Sequence, residues 1–197
     1  WRVFPAYYRA SRKIKHKRGS KLILEDRSPP SGSSIKSKLQ WKLYDWCWNK
    51  ASKNVDFANV LVPELERFVK ERFSNLGNLN FIITPSGVDT DRFRPAENSD
   101  SYPELVRIVY HGALDKGRGL SRILELKSEL SEEGIRSKIT IVGDGDLSPF
   151  FQNISKNDEE VVFLGRLESS ELPKVVAESD YGILPLPDAL EWRVGSP

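Results

Sequence analysis

The chain has no methionine, one cysteine and two histidines among its 197 residues, and no long apolar run anywhere. Each shortage removes a class of function. With Cys47 alone there is neither a disulfide nor a thiolate cluster for a structural metal, which suits a reducing compartment. A catalytic cysteine needs a histidine beside it, and His16 and His111 stand in unlike contexts, so Cys47 reads as a buried small residue within WKLYDWCWNK. No segment approaches the ~18 apolar residues that cross a bilayer, leaving a soluble or peripheral chain, placed in the cytoplasm or on the cytoplasmic face of the membrane. The absent methionine, the opening Trp1 and the stop at Pro197 soon after a strand are read as marks of an internal fragment, with any targeting signal outside it.

What is present is a mixed, evenly apolar composition, 39% hydrophobic and 29% charged, enough for a substantial core in one or two domains. The net charge of +2 conceals a split. Residues 1–88 carry 17 Lys or Arg against 7 Asp or Glu, and residues 89–197 carry 13 against 21. Two domains follow as the natural reading. The sharpest basic block is Arg9, Arg12, Lys13, Lys15, Lys17, Arg18 and Lys21, next to Trp1, Phe4, Tyr7 and Tyr8. At about 1 kcal/mol per basic residue such a block offers peripheral contact with anionic lipid through 9–21, against the plainer reading of a solvated helix end. Nucleic acid is disfavoured, because no binding motif accompanies the charge.

Apolar segments and breakers alternate as strand then helix, which predicts a parallel sheet. Helices are expected at about 4–17, 35–53, 63–75, 120–131, 147–154 and 170–178, and strands at 22–25, 58–62, 80–84, 106–111, 138–142, 161–164 and 181–185. Pro63 suits a first helical position and Gly77 a helix stop. The helix at 35–53 is apolar on two faces, Ile35, Leu39, Leu43 and Trp46 at one spacing and Trp41, Tyr44 and Trp48 at another. Packing between the sheet and another element is preferred over anchoring at a membrane interface or on a partner.

The chemistry concentrates at strand ends. In VRIVYHGALDKGRGL, an apolar strand runs into a loop where Gly112, Gly117 and Gly119 permit close approach and Lys116 and Arg118 supply positive charge ahead of a helix amide end. That is a place to hold phosphate. ITIVGDGD puts Gly143 and Gly145 at a second strand end, where Asp144 and Asp146 suit a turn and helix cap better than phosphate. Arg166 follows Gly165 at a third strand end, with pairing to Glu168 as the plain alternative. Asp26 and Arg27 end the first strand, facing a cleft or paired with each other.

These segments, with FIITPSGVDTDRFRP and LPLPDALEWRVGSP, resemble the two-Rossmann-domain (GT-B) glycosyltransferases that use nucleotide-sugar donors (group 1, or family 4-like). The family pattern Pro-Asn-Gly-Val-Asp, then Phe, any residue and Pro, stands here as Pro85, Ser86, Gly87, Val88, Asp89, Phe93 and Pro95. Gly-Arg-Leu followed by Lys-Gly stands as Gly112, Ala113, Leu114 and then Arg118, Gly119, so Ala113 removes one expected basic contact. The resemblance covers roughly Leu22 to Pro197. It implies an α/β fold of two Rossmann-like parallel-sheet domains, both incomplete: 1–88 from the acceptor-side domain, 89–104 as linker and 105–197 from the donor-binding domain.

The resemblance further implies transfer of a glycosyl group, of hexosyl type, from a nucleoside-diphosphate sugar to a hydroxyl of a polysaccharide, glycolipid or glycoprotein precursor, as in cell-envelope polysaccharide synthesis. Donor-binding residues would be Gly112, Lys116, Arg118, Gly119, Gly143, Gly145 and Arg166. Catalytic candidates are Glu191, in the loop where the family holds the donor sugar, with Asp26 and Arg27 at the acceptor-side strand end. No cofactor and no metal are implied, the nucleotide sugar being a substrate. A nucleotide-sugar epimerase of the same fold and a non-catalytic partner-binding subunit are the alternatives, the second encouraged by Ala113. A nicotinamide dehydrogenase does not fit the glycine spacing.

Overall fold

In a computed structural model of the chain, residues 9, 19–32, 34–51, 53–96 and 104–195 are described. The helix expected at 4–17 and most of the basic block lie outside them. The chain divides into two compact units, Trp1–Gly87 together with Asp188–Pro197, and Val88–Pro187.

The first unit holds a three-stranded parallel sheet in the order β1 (Ile23–Asp26), β2 (Phe57–Val60), β3 (Asn80–Ile83). Leu24 and Asp26 pair with Ala58 and Val60, all four buried on the sheet face that packs on helix α1 (Ile35–Ala51) and helix α2 (Pro63–Arg72). Helix α1 starts where Ser34 Oγ accepts the Ser37 amide at 3.1 Å, a serine cap on an orphan donor. Its inward side is Tyr44, Cys47 and Trp48, packed with Phe73 of the chain after α2. Trp48 stacks on Phe73 and on Phe81, ring centroids 6.0 Å apart in each pair. Arg72 joins the two helices, bonding Asp45 through both guanidinium arms at 2.7 and 3.0 Å and lying 4.7 Å over the Trp41 ring.

The second unit is a four-stranded parallel sheet in the order β6 (Val161–Gly165), β5 (Ser137–Val142), β4 (Val106–His111), β7 (Tyr181–Gly182). Ile108, Tyr110, Ile139 and Ile141 are buried with Leu120 and Ile123 of helix α3 (Ser121–Glu132) and Phe151 of helix α4 (Ser148–Asn157). Helix α5 (Leu172–Ala177) leads into β7. Asp180, next to β7, accepts the Arg107 amide at 2.7 Å and both arms of its guanidinium, which holds the Asp180 carboxyl below its ordinary pKa.

Two boundaries differ from the sequence expectation. The strand expected at 181–185 pairs only over Tyr181–Gly182, since Pro185 and Pro187 lack the N–H a ladder needs. Residues 188–195, expected in the donor-side domain, group with the first unit. There Val194, following a short helix α6 (Leu190–Arg193), is buried against the first core.

Candidate functional site

The glycine-rich turns at the carboxyl edge of the second sheet form one bonded framework. The Gly112 amide donates to the Val142 carbonyl, Gly143 to Gly165, Leu114 to Asp144 and Leu147 back to Leu114, all within 3.0 Å. The sheet ladder thus continues past the strand ends through the turns after β4, β5 and β6. Such contact leaves no room for side chains. A Cβ on Gly143, at φ +140°, would lie 1.8 Å from the Gly112 carbonyl oxygen, and one on Gly145 would lie 2.8 Å from the Leu114 backbone. Gly143 and Gly145 are thus first of all used by the chain against itself, whereas a Cβ on Gly117 would meet nothing within 4 Å.

Asp144 holds the turn but does not cap the helix that follows, whose start at Leu147 has no side-chain cap bond. Its Oδ1 accepts the Gly145 amide and the Ser148 hydroxyl, both at 2.8 Å, at the start of α4. The Ser148 bond, then the Gly145 amide, hold its carboxyl below the ordinary value, with the Arg166 charge a lesser contribution. Asp146 is exposed.

The turn after β4 differs from the turn after β5 in its charge. Lys116–Arg118 forms a 3-10 turn ending at Gly119 (φ +68°), and α3 then begins with no side-chain cap and no acidic residue in its first turn. The positive end of the helix dipole lies beside two cations, while the Arg122 and Ile123 amides of the first turn donate back to the Gly119 and Leu120 carbonyls at 3.1 and 3.2 Å. Lys116 is exposed and Arg118 half-buried. Beneath them Tyr110, fully buried, donates its hydroxyl to the Ala113 carbonyl at 2.8 Å and is hydrogen-bonded by Arg118. Burial raises the Tyr110 pKa and Arg118 draws it back. Tyr110 went unnoticed in the sequence as a plain strand residue. Its signal was a hydroxyl-bearing ring two positions before a glycine turn. The turn also has a floor, because a Cβ on Gly119 would meet the Pro185 carbonyl oxygen at 2.2 Å.

Gly112, Lys116, Arg118, Gly119, Gly143, Gly145 and Arg166 therefore share one sheet edge. Arg166 is exposed and forms no ion pair with Glu168, whose amide instead bonds the Glu171 carboxylate. Asp26, Arg27 and Glu191 belong to the other unit. Glu191 lies half-buried on α6.

Asp26 does not open outward or pair with Arg27. It is 3% exposed, turned under α1, where Oδ2 accepts the Tyr44 hydroxyl at 2.7 Å and the Trp48 indole N–H at 3.0 Å. Among the described residues its Oδ1 has no hydrogen bond of good geometry, the Ser28 amide being a lesser electrostatic neighbour. Burial pushes the carboxyl above its ordinary pKa, against the pull of the Tyr44 and Trp48 bonds. Arg27 is exposed and its Nε lies 3.5 Å from Glu25. A helix bearing two aromatic donors at i and i+4 was the signal for the Asp26 contacts.

Parallel sheets with glycine turns at their carboxyl edges are the architecture of nucleotide-binding α/β proteins, and solved structures narrow it. The chain superposes on Staphylococcus aureus TarM, crystallised with UDP, with a TM-score of 0.62 over 84% of its length at 8% identity. The chain carries the GT-B glycosyltransferase fold. Anabaena HepE in complex with UDP and glucose matches 85% of the chain at a TM-score of 0.58 and 12% identity. The pneumococcal O-GlcNAc transferase GtfA, with UDP and GlcNAc, matches 77% at 0.54 and 16% identity. In sequence, a Mycobacterium tuberculosis GDP-mannose-dependent alpha-(1-6)-phosphatidylinositol dimannoside mannosyltransferase is 26% identical over 110 residues, 49% of this chain. The chain spans 29% of that enzyme, 32% of TarM, 31% of GtfA and 47% of HepE. No protein-family model matches it.

Proposed function

We propose that the chain serves a glycosyltransferase that moves a sugar, of hexosyl type, from a nucleoside-diphosphate sugar to an acceptor hydroxyl of a polysaccharide, glycolipid or glycoprotein precursor. The observation that carries this reading is the turn between β4 and α3, where Lys116 and Arg118 stand at an uncapped helix start on a rigid sheet edge. The relatives crystallised with UDP and the GDP-mannose-dependent relative support a nucleotide-sugar donor.

In this reading the diphosphate seats on the amides of the turn, with Arg118 giving two-pronged contact to its oxygens and Lys116 a mobile point charge. As the glycosyl bond breaks, negative charge grows on the leaving diphosphate, and these fixed donors stabilise it without reorganising. Arg166, on the same sheet edge, serves the nucleoside base. Arg27 is the exposed group at the acceptor-side strand end, while Asp26 supports that strand end from beneath. The chain acts in the cytoplasm, with the basic segment 9–21 offering peripheral contact to the membrane.

Calorimetric titration of the chain with UDP and with GDP tests the assignment. Arg118→Ala should weaken whichever nucleotide binds by at least about tenfold, the worth of one hydrogen bond to a charged group. Equal affinity in wild type and variant would overturn it.

A further inference from the structure

Tyr110 carries a hydroxyl that the sheet alone does not require. Ile108 and Tyr110 stand two residues apart on one face of β4 and both are buried, Tyr110 completely. The phenol reaches the turn that follows the strand, where three points of the loop meet its oxygen. A Cβ on Gly112 would lie 3.2 Å from that oxygen, the Ala113 carbonyl accepts its proton at 2.8 Å, and Arg118, at the end of the 3-10 turn, bonds it through the guanidinium. The protons follow from the chemistry of the groups. A carbonyl has none to give, so the hydroxyl donates to Ala113; a guanidinium has only donors, so the hydroxyl accepts from Arg118. One atom thereby ties the two ends of the loop together.

We propose that Tyr110 is a positioning residue for the phosphate turn, holding Arg118 in place for a diphosphate oxygen before any ligand arrives. The inference rests on the reading of this turn as the diphosphate seat. A free arginine loses much of its side-chain freedom when it grips an anion, and one already held loses less. One of its five N–H groups is spent on the phenol, and the others remain for phosphate. The kind of partner matters as well as its place. A carboxylate there would cancel the charge that the anion is to meet, whereas a phenol orients the guanidinium and leaves it positive. Burial raises the Tyr110 pKa, so the hydroxyl keeps the proton that Ala113 receives.

Two measurements on the wild-type chain and the Tyr110→Phe variant separate this inference from the nucleotide reading. The first needs no ligand. In nitrogen NMR the Arg118 Nε–H signal, assigned by its loss in Arg118→Lys, should show a heteronuclear NOE well above that of the exposed Arg122 in wild type, and should fall to the Arg122 level in Tyr110→Phe. An Arg118 as mobile as Arg122 in wild type overturns the proposal without any substitution, and so does a signal unchanged in the variant. The second is a cycle of calorimetric titrations with UDP and GDP. Tyr110→Phe should weaken whichever nucleotide binds by about threefold to tenfold, and in the Arg118→Ala background by less than about twofold, because the arginine it holds is gone. Equal losses in the two backgrounds mean that the hydroxyl supports the fold alone, and overturn the proposal. If neither nucleotide binds wild type, the reading of the seat falls and the proposal with it; if nucleotide binds and the arginine signal ignores Tyr110, only the proposal falls.

Discussion

At the scale of single residues, the Asp26 carboxyl is buried against a tyrosine hydroxyl and an indole N–H, with one oxygen lacking a good partner. Burial favours its neutral form, so its native pKa is raised. The native state therefore binds this proton more tightly than the unfolded chain, whose aspartates titrate near about 3.9. Its contribution to stability is complete below that pH and is lost as pH rises through the native pKa. Asp26→Asn keeps an acceptor for Tyr44 and Trp48 and removes the charge. Its urea midpoint should change less between pH 4 and pH 7 than that of wild type, followed by tryptophan fluorescence. An unchanged slope would mean that the carboxyl is not the group responsible. That a basic, glycine-spaced turn follows β4 was legible from residue types, because glycines end an apolar strand and permit the close turn. The burial of Asp26 was not, because nothing in Glu25-Asp26-Arg27 tells which of three charged side chains turns inward. Cys47 was legible as buried, and burial raises its thiol pKa to about 11, consistent with an unreactive side chain.

At the scale of elements, strand and helix positions followed from apolar spacing to within a few residues, and β4 and α2 begin where expected. The exceptions are cases where tertiary contact overrides local pattern. β7 ends at Gly182, short of Pro185 and Pro187, and α6 forms in a segment read as loop. For α1 the sequence showed two apolar faces without saying which meets the sheet. The decision lies in shape, because Tyr44 and Trp48 reach the Asp26 carboxylate and Ile35 and Leu39 have no such partner. The turns after β4 and β5 carry a prediction of their own. Gly143→Ala forces a Cβ into the Gly112 carbonyl at a backbone angle alanine seldom adopts. It should cost about 3 kcal/mol or more, since the obstacle is backbone and not a movable side chain. Thermal unfolding of the second unit, followed by far-UV circular dichroism, reads this. A melting point within a degree of wild type would show that the two turns separate readily.

At the scale of the whole molecule, two parallel sheets were legible because helix and strand alternate and because the basic and acidic halves part near residue 88. The return of residues 188–195 to the first core was not, since Val194 is one valine among many until its neighbours are known. If the diphosphate seat is the turn between β4 and α3, nucleotide acts on the second unit alone. At 100 times its dissociation constant a ligand adds about 2.7 kcal/mol to the unit that binds it. Hydrogen exchange with UDP or GDP present should slow at amides of 112–119 and at the start of α3, and not at β2. Slowing confined to the first unit would move the nucleotide site there.

The Pro185 carbonyl beneath Gly119 has a consequence in time as well as in space. The segment bearing Arg118 is made early by the ribosome, and the segment that props it is made much later. Until α5 and β7 have come down beside β4, the turn lacks its support, and its shape is only one among many open to a loop with three glycines. Long-range closure of this kind is slow and comes late. If the turn is the diphosphate seat, competence to hold an anion should therefore appear at the end of folding of the second unit, after the β4–β5 pairing that spans fewer residues.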